Sequence, residues 1–224
     1  GRGSRKGVLL ASTFSTLPKS LVFLVDMFIK VGGELTPPRS GAGTFCVGGR
    51  ALRNGLARTM IELLRLQSVL QTIGEGKSLS QKEAIRIILS MVGSELEMQL
   101  GSPTTPTQGN NLFAQGPKIS SADAPLARLA AARVLREGIS MMSPEAVQIT
   151  ILHELIHICS KNQSTLNGNQ LQVALVETSH LLATLGEAAS SAVEDLLPAL
   201  KSCLRHPDQG VRHEAAVACA AMAS

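Results

Sequence analysis

The segment His153-Glu154-Leu155-Ile156-His157 has the residue types and the spacing of a zinc-binding helix. Residues four apart lie on one helical face, so both imidazoles could bind one Zn²⁺ while Glu154 activates a metal-bound water. A catalytic zinc needs a third protein ligand, and Glu177 has a suitable type and position. His180 is a candidate donor to the transition state. One interpretation of the motif is therefore metal-assisted peptide hydrolysis.

A second interpretation of the same segment needs no metal. On a helical wheel the apolar residues fill one side, and Thr150, His153, Glu154 and His157 fill the other, as in any amphipathic surface helix. The sequence shows no strand that could align a peptide, no Gly-rich phosphate loop and no nucleophile elbow. We therefore predict no catalytic residue and no cofactor, and the zinc peptidase remains the alternative. The distant His206 and His213 are predicted to be structural.

The composition favours helices over strands. Hydrophobic residues make up 44% of the 224 residues but aromatic residues only 2%, with no Trp and no Tyr. Aliphatic residues and Ala must then fill the core, whereas sheet cores depend on β-branched and aromatic side chains. Ala-rich runs such as 129–132 allow helices to approach closely. The predicted fold class is all-α.

Charge and cysteine content exclude several classes of function. The net charge is +4, and residues 1–65 carry ten Lys or Arg against three acidic residues. Without an aromatic platform for base stacking, this basic region predicts a solvated face rather than a nucleic-acid site. The cysteines form no CxxC pair, so we expect buried free thiols at Cys46, Cys159, Cys203 and Cys219. No apolar stretch is long enough to span a bilayer, and the predicted location is cytoplasmic.

The first 100 residues predict helical repeats interrupted by one loop. Apolar periodicity indicates helices over 18–31 and 50–73, separated by a Gly/Pro-rich loop at 32–49. Ser80 and Glu83 fit a capping box that would start a helix running to about Leu100. Residues 101–121 are rich in Pro, Gly, Thr and Asn, and they predict a flexible linker or an insertion.

Residues 122–224 predict a regular series of helices. Asp123 with Pro125, and Ser143 with Pro144, are start signals of the cap-then-proline type. Asp208 should cap the last helix. The sequence predicts successive antiparallel pairs formed by helices over 126–142, 144–160, 169–185, 188–204 and 209–222. The chain starts without Met and ends within an apolar helical pattern, so we expect a piece of a longer protein.

The segment from Asp208 to Ala218 resembles the first helix of a HEAT repeat, in which an Asp cap, a Val-Arg pair and small residues recur. A similar pattern starts at Asp123, with Leu126, Ala130, Ala131 and Val134 in the places of Val211, Ala215, Ala216 and Cys219. The two patterns are 85 residues apart, which corresponds to two units of about 42 residues. A unit of this length falls inside the HEAT and armadillo period. The resemblance implies an α-solenoid of stacked HEAT-like helix pairs, which binds other proteins through its surface. An ordinary helical bundle is the alternative.

The run from Val173 to Ala223, with its Gly186 turn and its 196–200 helix, is similar to the large HEAT repeat-containing protein five family. The segment 28–33 also resembles it. Members of that family are accessory scaffolds of the clathrin adaptor at the trans-Golgi network and endosomes. The resemblance implies a role in vesicle traffic, with the chain peripheral to Golgi or endosomal membranes. The Pro-rich segment 101–121 has no counterpart in this resemblance.

Overall fold

The structure, a computed structural model, describes residues 17–33, 48–72, 79–93, 124–161 and 167–223. Its secondary structure in these ranges is helical throughout, without a strand. The eight α-helices in the described ranges are α1 (Leu17–Gly33), α2 (Gly48–Thr72), α3 (Gln81–Leu89), α4 (Ala124–Gly138), α5 (Glu145–Lys161), α6 (Gly168–Leu185), α7 (Val193–Cys203) and α8 (Gln209–Ala223). The all-α prediction is confirmed. The predicted linker at 101–121 and the loop at 34–47 lie outside the described residues.

The helices are arranged in two rows. In the even row, α4 packs on α2, α6 on α4 and α8 on α6. In the odd row, α7 packs on α5 and α5 contacts α3. Helix α1 packs against α2 and α3. The rows share one apolar core, in which the largest side chains with no exposed surface include Phe28, Met60, Ile85, Leu152 and Leu171.

The packing partners differ from the predicted pairs. Helix α5 packs chiefly against α6 and α7, and α7 packs against α5 and α8. The sequence had instead predicted α4 with α5 and α6 with α7 as the antiparallel pairs. Helices that are consecutive in the chain need not be the closest neighbours, because the fit between apolar helix faces determines which helices pack together.

Several helix starts follow the sequence signals, with changes in detail. Asp208 caps α8, since its Oδ1 accepts hydrogen bonds from Gly210 N at 2.7 Å and Val211 N at 3.3 Å. The Ser80 hydroxyl accepts from Glu83 N at 3.2 Å at the start of α3. Ser143 precedes α5 as predicted, but its hydroxyl donates backwards to Ile139 O at 2.8 Å rather than capping. Nearby, His206 Nδ1 accepts from Asp208 N at 3.1 Å, so the imidazole helps to hold the turn before α8.

Two helices are shorter than predicted. Helix α3 ends at Leu89 and continues as one 3₁₀ turn to Val92, well short of Leu100. Helix α7 begins at Val193, because residues Gly186–Ala192 form a 3₁₀ segment. Gly186 has φ +51°, a conformation that L side chains rarely adopt, and so it ends α6 as predicted.

Helix α6 is surrounded by protein along most of its length. Every residue from Gln170 to Leu182 is buried except the half-buried Val176 and His180. Its first turn carries a full capping box, in which the Asn167 side chain accepts from Gln170 N and the Gln170 side chain accepts from Asn167 N. The same two side chains reach the end of α3, since Asn167 Nδ2 donates to Val92 O at 3.1 Å and Gln170 Nε2 donates to Leu89 O at 3.4 Å. This junction fixes α6 against α3.

Replacing Gly93 by Ala tests that junction. A Cβ at Gly93 would overlap the Gln170 and Asn167 side-chain amides, so the bonds to Leu89 O and Val92 O should weaken. We expect Gly93→Ala to lower the free energy of unfolding by about 1 to 2 kcal/mol. The matched control is Gly55→Ala inside α2, where a Cβ meets nothing within 4 Å. It should raise stability by about 0.5 to 1 kcal/mol, because Ala is the better helix former. Urea denaturation of both variants measures the two signs, and equal effects would contradict the close fit at Gly93.

Candidate functional site

The HExxH residues lie along the surface edge of α5. The neighbouring positions Ile151, Leu152, Leu155 and Ile156 are buried and face the core. The three side chains that the zinc interpretation requires, His153, Glu154 and His157, are half-buried rather than fully exposed. The sequence had placed them on an open polar face, but the neighbouring helices α3 and α7 cover part of it.

The first two motif residues contact different helices. Glu154 forms an ion pair with Lys82 of α3, with 3.4 Å between Oε2 and Nζ. His153 Nδ1 lies 4.0 Å from Asp195 Oδ2 of α7. Consecutive residues of a helix point about 100° apart, so this divergence follows from the helix itself. Both contacts link neighbouring helices of the odd row.

The third member of the motif, His157, presents its Nδ1 to the interior. That nitrogen has no accessible surface and no hydrogen-bond partner among the described residues. A metal-bound histidine normally donates its other ring N–H to a carboxylate or a carbonyl, which fixes the ring. The described part of the chain provides no such partner for His157 Nδ1.

Glu177 is placed in a different environment from the motif. It lies in the buried part of α6, with its side chain 1% exposed, and it pairs with Arg136 of α4. Arg136 Nε donates to Glu177 Oε2 at 3.3 Å. Among the described residues, no group of three or more His, Cys, Asp or Glu side chains is placed to hold a metal ion. The structure therefore does not bring His153, His157 and Glu177 together, and these residues do not fit a zinc site.

Burial determines the electrostatics of the Glu177 cluster. Desolvation raises the pKa of Glu177 above its ordinary value, although the Ser140 hydroxyl and Arg136 both oppose the increase. Burial, together with the nearby Arg136 charge, lowers the pKa of His180. His180 Nδ1 lies 3.7 Å from Glu177 Oε1, and neither atom has a hydrogen-bond partner within the described ranges. His180 is thus a neighbour of Glu177 on α6, not part of the HExxH site.

The sequence interpretation missed Arg136 as the partner of Glu177. The two residues are 41 positions apart, and so are Arg128 of α4 and Asn169 of α6, which are joined by a 2.6 Å hydrogen bond. A separation close to the HEAT period is the signal that could have identified both pairs. Without such a pattern, nothing in the sequence distinguishes Glu177 from the other acidic residues of the predicted helices.

Comparison of the chain with family models, with curated proteins and with solved structures gives no match. The resemblance to HEAT repeats is therefore a prediction from the sequence. In the described residues, no helix has both the length and the apolar content required to cross a membrane.

Glu177→Gln should change how stability depends on pH. Because the folded-state pKa of Glu177 is raised, the folded chain binds this proton more tightly than the unfolded chain. The resulting stabilisation is present below the ordinary carboxyl pKa of about 4.3 and is lost as the pH rises through the raised value. Glu177→Gln should therefore gain stability relative to wild type towards neutral pH. The difference should shrink on acidification, as measured by thermal denaturation across pH. Glu187→Gln, at an exposed position, is the control for the loss of one carboxylate.

The ion pair itself is tested by removing its other member. Arg136→Ala leaves the Glu177 carboxylate buried without its cation, and we expect a loss of about 2 to 3 kcal/mol at neutral pH, since Arg136 is itself 35% exposed. The loss should be clearly smaller in the Glu177→Gln background. An equal loss in both backgrounds, measured in a double-mutant cycle, would mean that Arg136 stabilises α4 by other means.

Proposed function

We propose that the chain is a segment of an α-solenoid that acts as a non-enzymatic scaffold for binding other proteins. The observation that carries the proposal is the position of α6 between α4 and α8 in the even row. Each new helix of this row covers the preceding one, and the two polar links between α4 and α6 have the same 41-residue separation. This succession is typical of repeat proteins, in which a unit contacts mainly its neighbours.

The exposed side of the odd row supports a binding role. It carries charged side chains that the core does not use, among them Arg86 of α3 and Glu194 and Lys201 of α7. The ion pair Lys82–Glu154 and the His153–Asp195 contact connect the three helices across this side. These charged side chains, contributed by three helices, offer a partner a pattern of charge on one side of the chain.

The partner proposed first is a clathrin adaptor complex, on the basis of the family resemblance of residues 173–223. In this proposal the chain is a cytoplasmic protein at Golgi or endosomal membranes, where it assists vesicle traffic. We expect saturable binding of the purified chain to a purified adaptor complex in biolayer interferometry. Reversing the charges of Glu194 and Lys201 together should weaken binding at least tenfold.

The controls separate loss of binding from loss of fold. The double charge reversal should leave the melting temperature within a few degrees of wild type, because both side chains are exposed. A matched reversal of Glu187, in the 3₁₀ segment before α7, should leave adaptor binding unchanged. Absence of any binding to the adaptor would contradict the proposed partner.

The competing function, a zinc peptidase, predicts a different outcome in a direct test. We expect elemental analysis of the dialysed chain to find far less than one zinc per molecule. His157→Ala should cost only about 1 kcal/mol of stability, for lost packing of a half-buried ring. Glu154→Gln should leave the background rate of peptide hydrolysis unchanged. One tightly bound zinc per chain, lost in His157→Ala together with peptidase activity, would replace the scaffold proposal.

A further inference from the structure

Two buried cysteines meet where α5 packs against α7. Cys159 near the end of α5 and Cys203 at the end of α7 are 1% and 0% exposed. The Cys203 side chain interacts with the Cys159 thiol, so the two side chains are neighbours where the two helices pack. Both are reduced thiols that form no disulfide within the described residues, as is the half-buried Cys219 of α8. The sequence shows only isolated cysteines, and the packing of the odd row makes two of them a pair.

A disulfide between Cys159 and Cys203 would affect the structure because of where the two residues lie. Cys159 and Cys203 belong to successive helices of the odd row, and α6 lies between them in the chain. A covalent link would close a loop that contains all of α6 and the 3₁₀ segment Gly186–Ala192. Closing such a loop restricts the unfolded chain and opposes local opening of α7.

We propose that Cys159 and Cys203 form a reversible disulfide that locks α5 to α7 under oxidising conditions. The oxidant is a low-molecular-weight disulfide such as oxidised glutathione. One cysteine, as the thiolate, attacks a sulfur of the oxidant, and a mixed disulfide forms while one glutathione thiolate leaves. The second cysteine attacks the protein sulfur of that mixed disulfide, and the second glutathione leaves. The two protein thiols give up two protons and two electrons, and the oxidant becomes two molecules of glutathione.

Burial determines the rate of this exchange rather than its end point. Desolvation and the neighbouring Cys203 raise the pKa of the Cys159 thiol, so the reactive thiolate is scarce in the closed fold. Exchange with a bulky oxidant therefore requires α7 to open. Pro198 lies inside α7, where it removes one backbone donor and weakens the helix. The folded chain should be oxidised slowly, and a chain refolded in the same buffer should be oxidised quickly.

The experiment incubates the full chain in a glutathione redox buffer, with one sample kept folded and another refolded from urea. Peptide mass spectrometry without reduction should find one linked peptide pair that joins Cys159 to Cys203, lighter by two hydrogen atoms and restored by dithiothreitol. Both samples should reach the same oxidised fraction, the folded one more slowly. The oxidised chain should melt about 5 to 10 °C higher than the reduced chain.

The variants keep the proposal falsifiable. Cys159→Ala and Cys203→Ala should each abolish the link and the increase in melting temperature, while Cys219→Ala should preserve both. The proposal fails if the refolded chain carries glutathione on Cys159 or Cys203 without the link between them. It also fails if the oxidised bond involves Cys219 or Cys46 instead, or if the linked chain melts no higher than the reduced one.

Discussion

The burial of α6 is the constraint on which the rest of the structure depends. A helix surrounded by protein needs hydrogen-bond partners for its buried polar side chains, because an unpaired buried polar group costs about 1 to 3 kcal/mol. Gln170 reaches Leu89 O at the end of α3, Gln172 reaches Asp208 at the cap of α8, and Glu177 reaches Arg136 of α4. Each contact requires a different neighbour at a particular height along α6. Together they set how far α4 and α8 can slide against the central helix.

The same constraint separates Glu177 from the HExxH motif. A carboxylate on the buried part of α6 needs a nearby cation, and Arg136 supplies it from the neighbouring helix α4. The histidines of the motif lie on α5, at the edge of the odd row, where the neighbouring side chains are Lys82 and Asp195. The motif and Glu177, the candidate third ligand, therefore contact different helices. Their spacing in the sequence gives no information about these contacts. A short motif becomes a site only when the packing of its helix directs all its members to one point.

The local elements could be predicted from the sequence, whereas the polar contacts between helices could not. The periodicity of apolar residues located α1 and α2, and the cap at Asp208 located the start of α8, since these signals act within a few residues. The end of α3 at Leu89 and the 3₁₀ segment before α7 escaped prediction, because tertiary contacts override weak local propensity there. The burial of Glu177 escaped for a related reason: its partner lies 41 residues away. The zinc hypothesis for Glu177 arose from spacing alone, and the contact with Arg136 could be found only from a repeat or a structure.

The two kinds of polar contact differ in how strongly they constrain the sequence. The Lys82–Glu154 pair and the His153–Asp195 contact involve partly exposed side chains, and such pairs contribute at most about 1 kcal/mol. Substitutions there cost little, so the fold tolerates changes along this exposed edge of the odd row. The Arg136–Glu177 pair has less freedom, since losing Arg136 leaves a buried carboxylate beside α6 without its cation. In the proposed scaffold, the odd row provides specificity for partners and the polar contacts of the even row provide stability. The two histidines of the motif then need no metal to explain them. They lie on the partly solvated edge of the odd row, where polar residues of many types are tolerated.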